Sequence, residues 1–227
     1  LAFINSSLED ERVFCRLPKH WTKDKSRNGR LVRLLRALYG LKVSPRKWFD
    51  TYRKFLESRG WVMNESEPGL FSKNGMMLTV YVDDSLISGP CVEAMRAEME
   101  AILAHFKGAE VKPEILSDGT EKRDLLGSTL LFNQKKRFMK IHMKESIEKV
   151  LKRFNMEGCR SVTTPYAPQT DLAGGGSKEY PMRQLCGCLN YIATICRPDI
   201  SFACQRVSQF ADKCTGNAIA AGKRILK

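Results

Sequence analysis

Hydrophobic and polar positions switch between two periods along this 227-residue chain, and the switches outline its elements. Arg12 to Leu17 alternates and predicts a strand that Pro18 ends. Leu31 to Leu38 is an apolar run broken by two arginines, a strand or a short helix. Trp48, Tyr52, Phe55 and Leu56 then fall at i, i+4, i+7 and i+8, one apolar helical face that by default is core. Ser44 suits its N-cap, Pro45 its first residue and Gly60 its C-terminal stop. Further on, Leu70 to Lys73 and Met76 to Tyr81 read as strands joined by the hairpin dipeptide Asn74-Gly75. A second turn at Asp83-Asp84 leads to a third strand. From Val92 to Phe106, Met95, Met99, Ile102, Leu103 and Phe106 recur at helical spacing and predict a helix covering one side of that sheet.

The second half repeats the theme with weaker signals. Residues 107 to 141 read as short strands around a polar loop at Ser117 to Thr120, with Leu125-Leu126-Gly127 between two of them. Ile147, Val150, Leu151 and Phe154 form one face of a helix from about Lys144 to Phe154. Thr163 to Lys178, with two prolines and Gly174-Gly175-Gly176, has no periodicity and reads as a linker. Helical patterns at Tyr180 to Thr194 and Asp199 to Ala211, split by Arg197-Pro198, predict a small helical lobe after it. The pattern as a whole predicts an α+β protein, an antiparallel sheet packed on helices.

Charge adds what periodicity cannot. The net charge of +13 is uneven: residues 12 to 54 carry 14 Lys and Arg against Asp24 and Asp50, whereas residues 55 to 133 carry 7 basic and 13 acidic groups. A basic segment beside an acidic one suits a phosphate-backbone partner with carboxylates held apart for a metal, and a solvated basic face gives the same signal. The eight cysteines show no Cys-x-x-Cys spacing and read as reduced, mostly buried thiols of an intracellular protein. Neither a signal peptide nor a membrane span is expected, and a first residue of Leu suggests a piece of a longer chain.

The acidic turn is the candidate chemical centre. Asp-Asp is ordinary turn material. A carboxylate fixed at a strand end is also the oxygen ligand that a hard divalent cation such as Mg²⁺ requires. The turn alone leaves both readings open.

Several stretches, taken in order, resemble the reverse transcriptase (RNA-directed DNA polymerase) of copia-type LTR retrotransposon Pol polyproteins. Leu1-Ala2-Phe3-Ile4-Asn5 with Leu8 to Phe14 looks like the tail of the family's first palm motif. Ala37-Leu38-Tyr39-Gly40-Leu41-Lys42 with Ser44 to Trp48 is similar to its second, and Tyr81-Val82-Asp83-Asp84 to its third. Leu126-Gly127, Val150 to Met156 with Thr164-Pro165, and Leu189-Asn190-Tyr191 with Thr194 and Arg197 to Ile200 resemble its downstream markers.

The resemblance implies a polymerase palm-type antiparallel sheet followed by a mainly helical thumb/connection lobe: a partial palm over residues 1–115, the primer-grip and start of the thumb over 116–165, and the helical lobe over 166–227. It implies two-metal nucleotidyl transfer with Mg²⁺ or Mn²⁺, extending a primer on an RNA or DNA template with dNTPs. By carry-over, Asp83 is the metal ligand and Asp84 its weaker neighbour, and Lys107 protonates the leaving pyrophosphate. Phe3 blocks a ribose 2′-hydroxyl, Tyr39 and Lys42 meet the nucleotide, and Gly40 lets it approach the backbone. Arg46, Tyr81, Leu126 and Gly127 meet template or primer.

Departures from the pattern limit the expectation. The family's first motif begins with an Asp a few residues before the Ala-Phe pair, upstream of Leu1, and fingers, integrase, protease and RNase H parts belong to the remainder of such a polyprotein. Val43-Ser44 stands where a glutamine and an alanine are usual, and Gly69 where a Cys is common. The isolated chain is therefore expected to extend a poly(rA)-templated primer poorly. Two other functions compete: a retroelement relic that only binds nucleic acid, and an unrelated phosphotransferase using the same acidic hairpin. Particle-bound cytoplasmic and nuclear locations are equally compatible with the sequence.

Overall fold

The computed structural model describes residues 2–18, 26 and 29–227. The expected turn residue Asn28 and the basic residues Lys19, Lys23, Lys25 and Arg27, with Asp24, lie outside the described residues. The chain forms two compact units, 1–110 and 111–227. Both mix helix with antiparallel sheet, with six α-helices among the described residues. No described helix is long and apolar enough to cross a membrane.

In the first unit, β1 (Phe14–Arg16) pairs antiparallel with β2 (Leu31–Arg33), so the start of the Leu31 to Leu38 run is strand and the rest is irregular. Helix α1 (Ser44–Ser58) buries Trp48, Tyr52 and Leu56 of the predicted face, and Phe55, its fourth member, is half-buried. Ser44 is not its N-cap. It is buried at the first helical position and donates its hydroxyl to the Leu38 carbonyl (2.6 Å), leaving Val43 as the capping residue. Strands β3 (Val62–Met63), β4 (Leu70–Lys73), β5 (Met76–Tyr81) and β6 (Asp84–Ser88) make one antiparallel sheet in that order, one strand more than the three expected. In β5, Met76 and Leu78 are buried and Met77 and Thr79 exposed, the alternation of a strand with one face on a core. Helix α2 spans Val92–Phe106 and, with α1, contributes to that core around Trp48, Trp61, Phe71, Leu78 and Ile102.

In the second unit, β7 (Glu114–Ile115), β8 (Glu121–Leu125), β9 (Ser128–Asn133) and β10 (Phe138–His142) form a sheet ordered β10-β9-β8-β7. Helices α3 (Lys144–Arg153), α4 (Met182–Ile195), α5 (Ser201–Ser208) and α6 (Gly216–Ile225) share one apolar core. The periodicity reading missed α6, although Thr215 caps it through Ala218 N–H and Ala218, Ala221 and Gly222 line its buried side.

The stretch read as a linker is instead docked. Leu172 is 3% exposed within the core, its carbonyl accepts from the Thr215 hydroxyl, and Ser177 bridges to Thr215. Two of its glycines, Gly174 and Gly175, serve close approach: a Cβ on Gly175 would meet the Asn217 nitrogen at 2.9 Å. The cysteines also depart from expectation. All eight are free, yet only Cys186 and Cys204, inside α4 and α5, are buried; Cys91 is exposed, and the other five, in β1, in loops, in α4 and at its end, are half-buried.

Candidate functional site

The acidic turn lies one residue earlier than its sequence suggests. Tyr81 pairs with Asp84, so the two-residue loop is Val82-Asp83 and Asp84 opens β6. Val82 takes φ +55°, a left-handed conformation that a β-branched side chain enters at a cost on the order of 1–3 kcal/mol. Helix α1 supplies the contacts that hold it. The Trp48 indole donates to the Val82 carbonyl (2.6 Å), and one helical turn later the Tyr52 hydroxyl and Ser85 hydroxyl share a hydrogen bond (2.9 Å). Trp48 and Tyr52 lie four residues apart on one helix face, so the spacing that buries their rings also aligns their polar ends with the turn.

Three further expected residues converge here. Phe3, buried in a short 3-10 turn (Phe3–Asn5), packs on Tyr39 with ring centroids 4.4 Å apart. The Tyr39 hydroxyl donates to Asp83 Oδ2 at 2.9 Å. That hydrogen bond to a carboxylate, with some burial, raises the phenol above its usual value. Gly40 follows at φ +93° with nothing within 4 Å of where a Cβ would stand, so the backbone beside Tyr39 faces open space. Asp83, Asp84 and Tyr81 are exposed.

The remaining expected residues are placed less tightly. Lys107 is the left-handed C-cap of α2 (φ +53°), next to Phe106, whose ring lies 5.0 Å from Trp48 and 5.1 Å from Tyr52. Lys42 is exposed, and Arg46 is exposed with a long 3.9 Å ion pair to Asp50. Part of the basic segment is internally engaged: Lys47 pairs with Asp10 (2.5 Å) and Glu11 (3.3 Å), and Arg33 donates to the Glu9 carbonyl (2.6 Å). In the second unit, Leu126 (φ +51°) and Gly127 (φ +73°) form the two-residue turn between β8 and β9. The Tyr191 hydroxyl donates to the Leu126 carbonyl and Ser146 to that of Gly127 (2.8 Å).

Periodicity alone places Trp48 and Tyr52 in the core and does not reveal their grip on the turn; the available signal is that both rings carry a polar N–H or O–H group. It also missed Glu98, which sits on the buried stripe of α2 at 7% exposure. Arg59 (3.0 Å), Lys73 (2.6 Å) and the Trp61 indole (3.0 Å) all donate to it. Burial pushes the Glu98 carboxyl up, but those three donors outweigh it and bring it down to about 2.

No group of three or more metal-ligating side chains exists among the described residues. The adjacent Asp83 and Asp84 offer hard oxygen donors open to solvent. This matches the way Mg²⁺ is held by one or two carboxylates together with water and substrate phosphates.

Residues 1–168 match the family described as reverse transcriptase (RNA-dependent DNA polymerase). The chain is 33% identical over 238 residues to the retrovirus-related Pol polyprotein from transposon RE1 of Arabidopsis thaliana, covering 100% of this chain and 15% of that protein. It is 31% identical over 234 residues to that from transposon RE2 of the same plant, again 100% and 15%. To the Pol polyprotein from transposon TNT 1-94 of Nicotiana tabacum it is 28% identical over 226 residues, 93% of this chain and 16% of that protein. The chain thus spans about one sixth of the length of these relatives. No solved structure matches.

Proposed function

The chain belongs to the reverse transcriptase (RNA-dependent DNA polymerase) family represented in copia-type Pol polyproteins, and from that premise we propose that it supplies the acidic half of a nucleotidyl-transfer site. In this reading residues 1–115 are palm, 116–165 primer-grip and thumb start, and 166–227 a thumb or connection lobe, within a Pol polyprotein whose other parts include integrase and RNase H. Asp83 and Asp84 hold the divalent cations, Mg²⁺ or Mn²⁺. When bound, these cations neutralise charge on the attacking hydroxyl and the leaving pyrophosphate.

The chain's own residues do the rest. Phe3 and Tyr39 form one wall of the deoxynucleotide pocket, Gly40 keeps the backbone beside it clear, and Lys42 meets phosphate. Lys107 protonates the departing pyrophosphate. Arg46 and Tyr81 contact the template-primer, and the Leu126-Gly127 turn supports the primer end. The observation that carries the reading is the chain of contacts Phe3 to Tyr39 to Asp83. It joins residues 36 and 44 positions apart that the resemblance implicates one by one.

Mn²⁺ titration of the 227-residue chain, followed by electron paramagnetic resonance, tests it. Asp83→Asn is expected to weaken binding by more than about tenfold, the lower scale of losing even a supporting group at a metal site. Equal affinity in wild type and Asp83→Asn would overturn the reading.

A further inference from the structure

The geometry points to Trp48 as a positioning residue for the acidic turn: its indole N–H, acting through the Val82 carbonyl, sets the direction in which Asp83 leaves the sheet. The carbonyl of Val82 and the amide N–H of Asp83 share one rigid peptide plane, so a donor fixed on that oxygen fixes the plane from which the Asp83 Cα departs. Trp48 is well suited to this. It is 5% exposed, lies in the first half of α1 and is wedged by Tyr52 (5.3 Å) and Phe106 (5.0 Å), so the donor has little freedom to follow a drifting carbonyl.

Magnitudes show why the contact matters. The left-handed Val82 disfavours the turn, and a single neutral hydrogen bond offsets only part of such backbone strain. The bonds from Trp48 and Tyr52 are together comparable to the strain, and either alone is smaller than its upper range. Removing the Trp48 donor is therefore expected to lower the population of the observed turn several-fold rather than to unfold the unit. A ligand that needs the turn then binds with its dissociation constant raised by the reciprocal of that population.

The inference rests on the reading of Asp83 as a metal carboxylate only for its binding readout; the turn geometry can be read without any metal. The test compares wild type with Trp48→Phe, which keeps an aromatic ring and loses the N–H. A second variant carries 3-benzothienylalanine at position 48, whose ring is nearly isosteric with indole and has sulfur in place of the N–H. Amide hydrogen exchange and chemical shifts are recorded at residues 82–85, with those at 74–76 as the reference turn, and Mn²⁺ affinity is measured in parallel.

Expected are faster exchange and shifted amides at 82–85 in both variants, unchanged amides at 74–76, and a roughly 3–10-fold loss of Mn²⁺ affinity. A purely structural Trp48 would leave the benzothienyl variant indistinguishable from wild type at 82–85, and that result overturns the inference. If wild type binds no Mn²⁺, the metal reading of Asp83 fails while the amide data still decide the role of Trp48.

Discussion

The two ends of β5 are built on opposite principles. At one end, Asn74 (φ +47°) and Gly75 (φ +76°) adopt a left-handed turn that their own chemistry favours. Beside it the sheet is anchored by a buried charged cluster, with Lys73 reaching Glu98 of α2 alongside Arg59 and Trp61. At the other end, Val82 occupies a left-handed position it disfavours, held there by neutral hydrogen bonds to α1, and Asp83 and Asp84 are exposed. At the first end the turn is favoured by its own residues, and the nearby charges are spent on one another inside the unit. The other keeps its charge outward and depends on a neighbouring helix, the arrangement expected where backbone strain is kept because a site requires it.

The strongest way to break the comparison is Glu98→Ala, which leaves two cations without their acceptor. It is expected to destabilise the first unit by on the order of 3 kcal/mol in urea unfolding while leaving Mn²⁺ affinity of the folded protein unchanged. The same cluster sets an acid limit. Glu98 titrates near 2 in the fold against 4.5 for an ordinary glutamate, so its contribution is complete above about pH 4.5 and is lost as pH falls toward 2. Glu98→Gln is expected to flatten that part of the pH–stability curve.

Next in size are the two turns themselves. Gly75→Ala places a Cβ at φ +76° and is expected to cost about 1–2 kcal/mol, whereas Val82→Gly relieves strain and is expected to raise the thermal midpoint, by about 1 kcal/mol in stability. If both substitutions destabilised equally, the two ends would not differ in kind. The second unit sharpens the point, because its Leu126-Gly127 turn pairs a disfavoured residue with a favoured one. Tyr191→Phe is accordingly expected to loosen the amides of 126–128 with a stability loss of about 1 kcal/mol, checked by hydrogen exchange. Smallest is the effect of Asp83→Asn on Tyr39: the phenol is expected to fall back toward its ordinary value near 10, read from tyrosinate absorbance at 295 nm.

Much of this was legible in the sequence where local chemistry and the fold agree. Asn74-Gly75, the Trp48–Tyr52–Leu56 face and the Val92–Phe106 helix appear as their residues indicate. Legibility failed where a tertiary contact overrode a local preference. The acidic turn moved to Val82-Asp83 because α1 grips the Val82 carbonyl, and Ser44 gave up a cap because its hydroxyl found Leu38. Glu98 was hidden because one acid on an apolar stripe looks like a solvated position until its three donors, from β4 and from the end of α1 and just beyond it, are seen together. The stretch around Gly174-Gly175-Gly176 reads as a linker, yet Gly174 and Gly175 pack tightly against Asn217 and Gly216. At the site, Phe3, Tyr39 and Asp83 were each named from motifs, but the contacts that join them depend on a fold no motif spells out.

The metal role proposed for Asp83 is tested most directly by whether and where a divalent cation binds along β5. Paramagnetic line broadening of backbone amides by substoichiometric Mn²⁺, recorded on the ¹⁵N-labelled 227-residue chain, compares both ends in one spectrum. Metal coordination by Asp83 predicts broadening centred on residues 82–85, none at 74–76, and its disappearance in Asp83→Asn. Broadening of both turns alike, or broadening at 82–85 that survives Asp83→Asn, would contradict it.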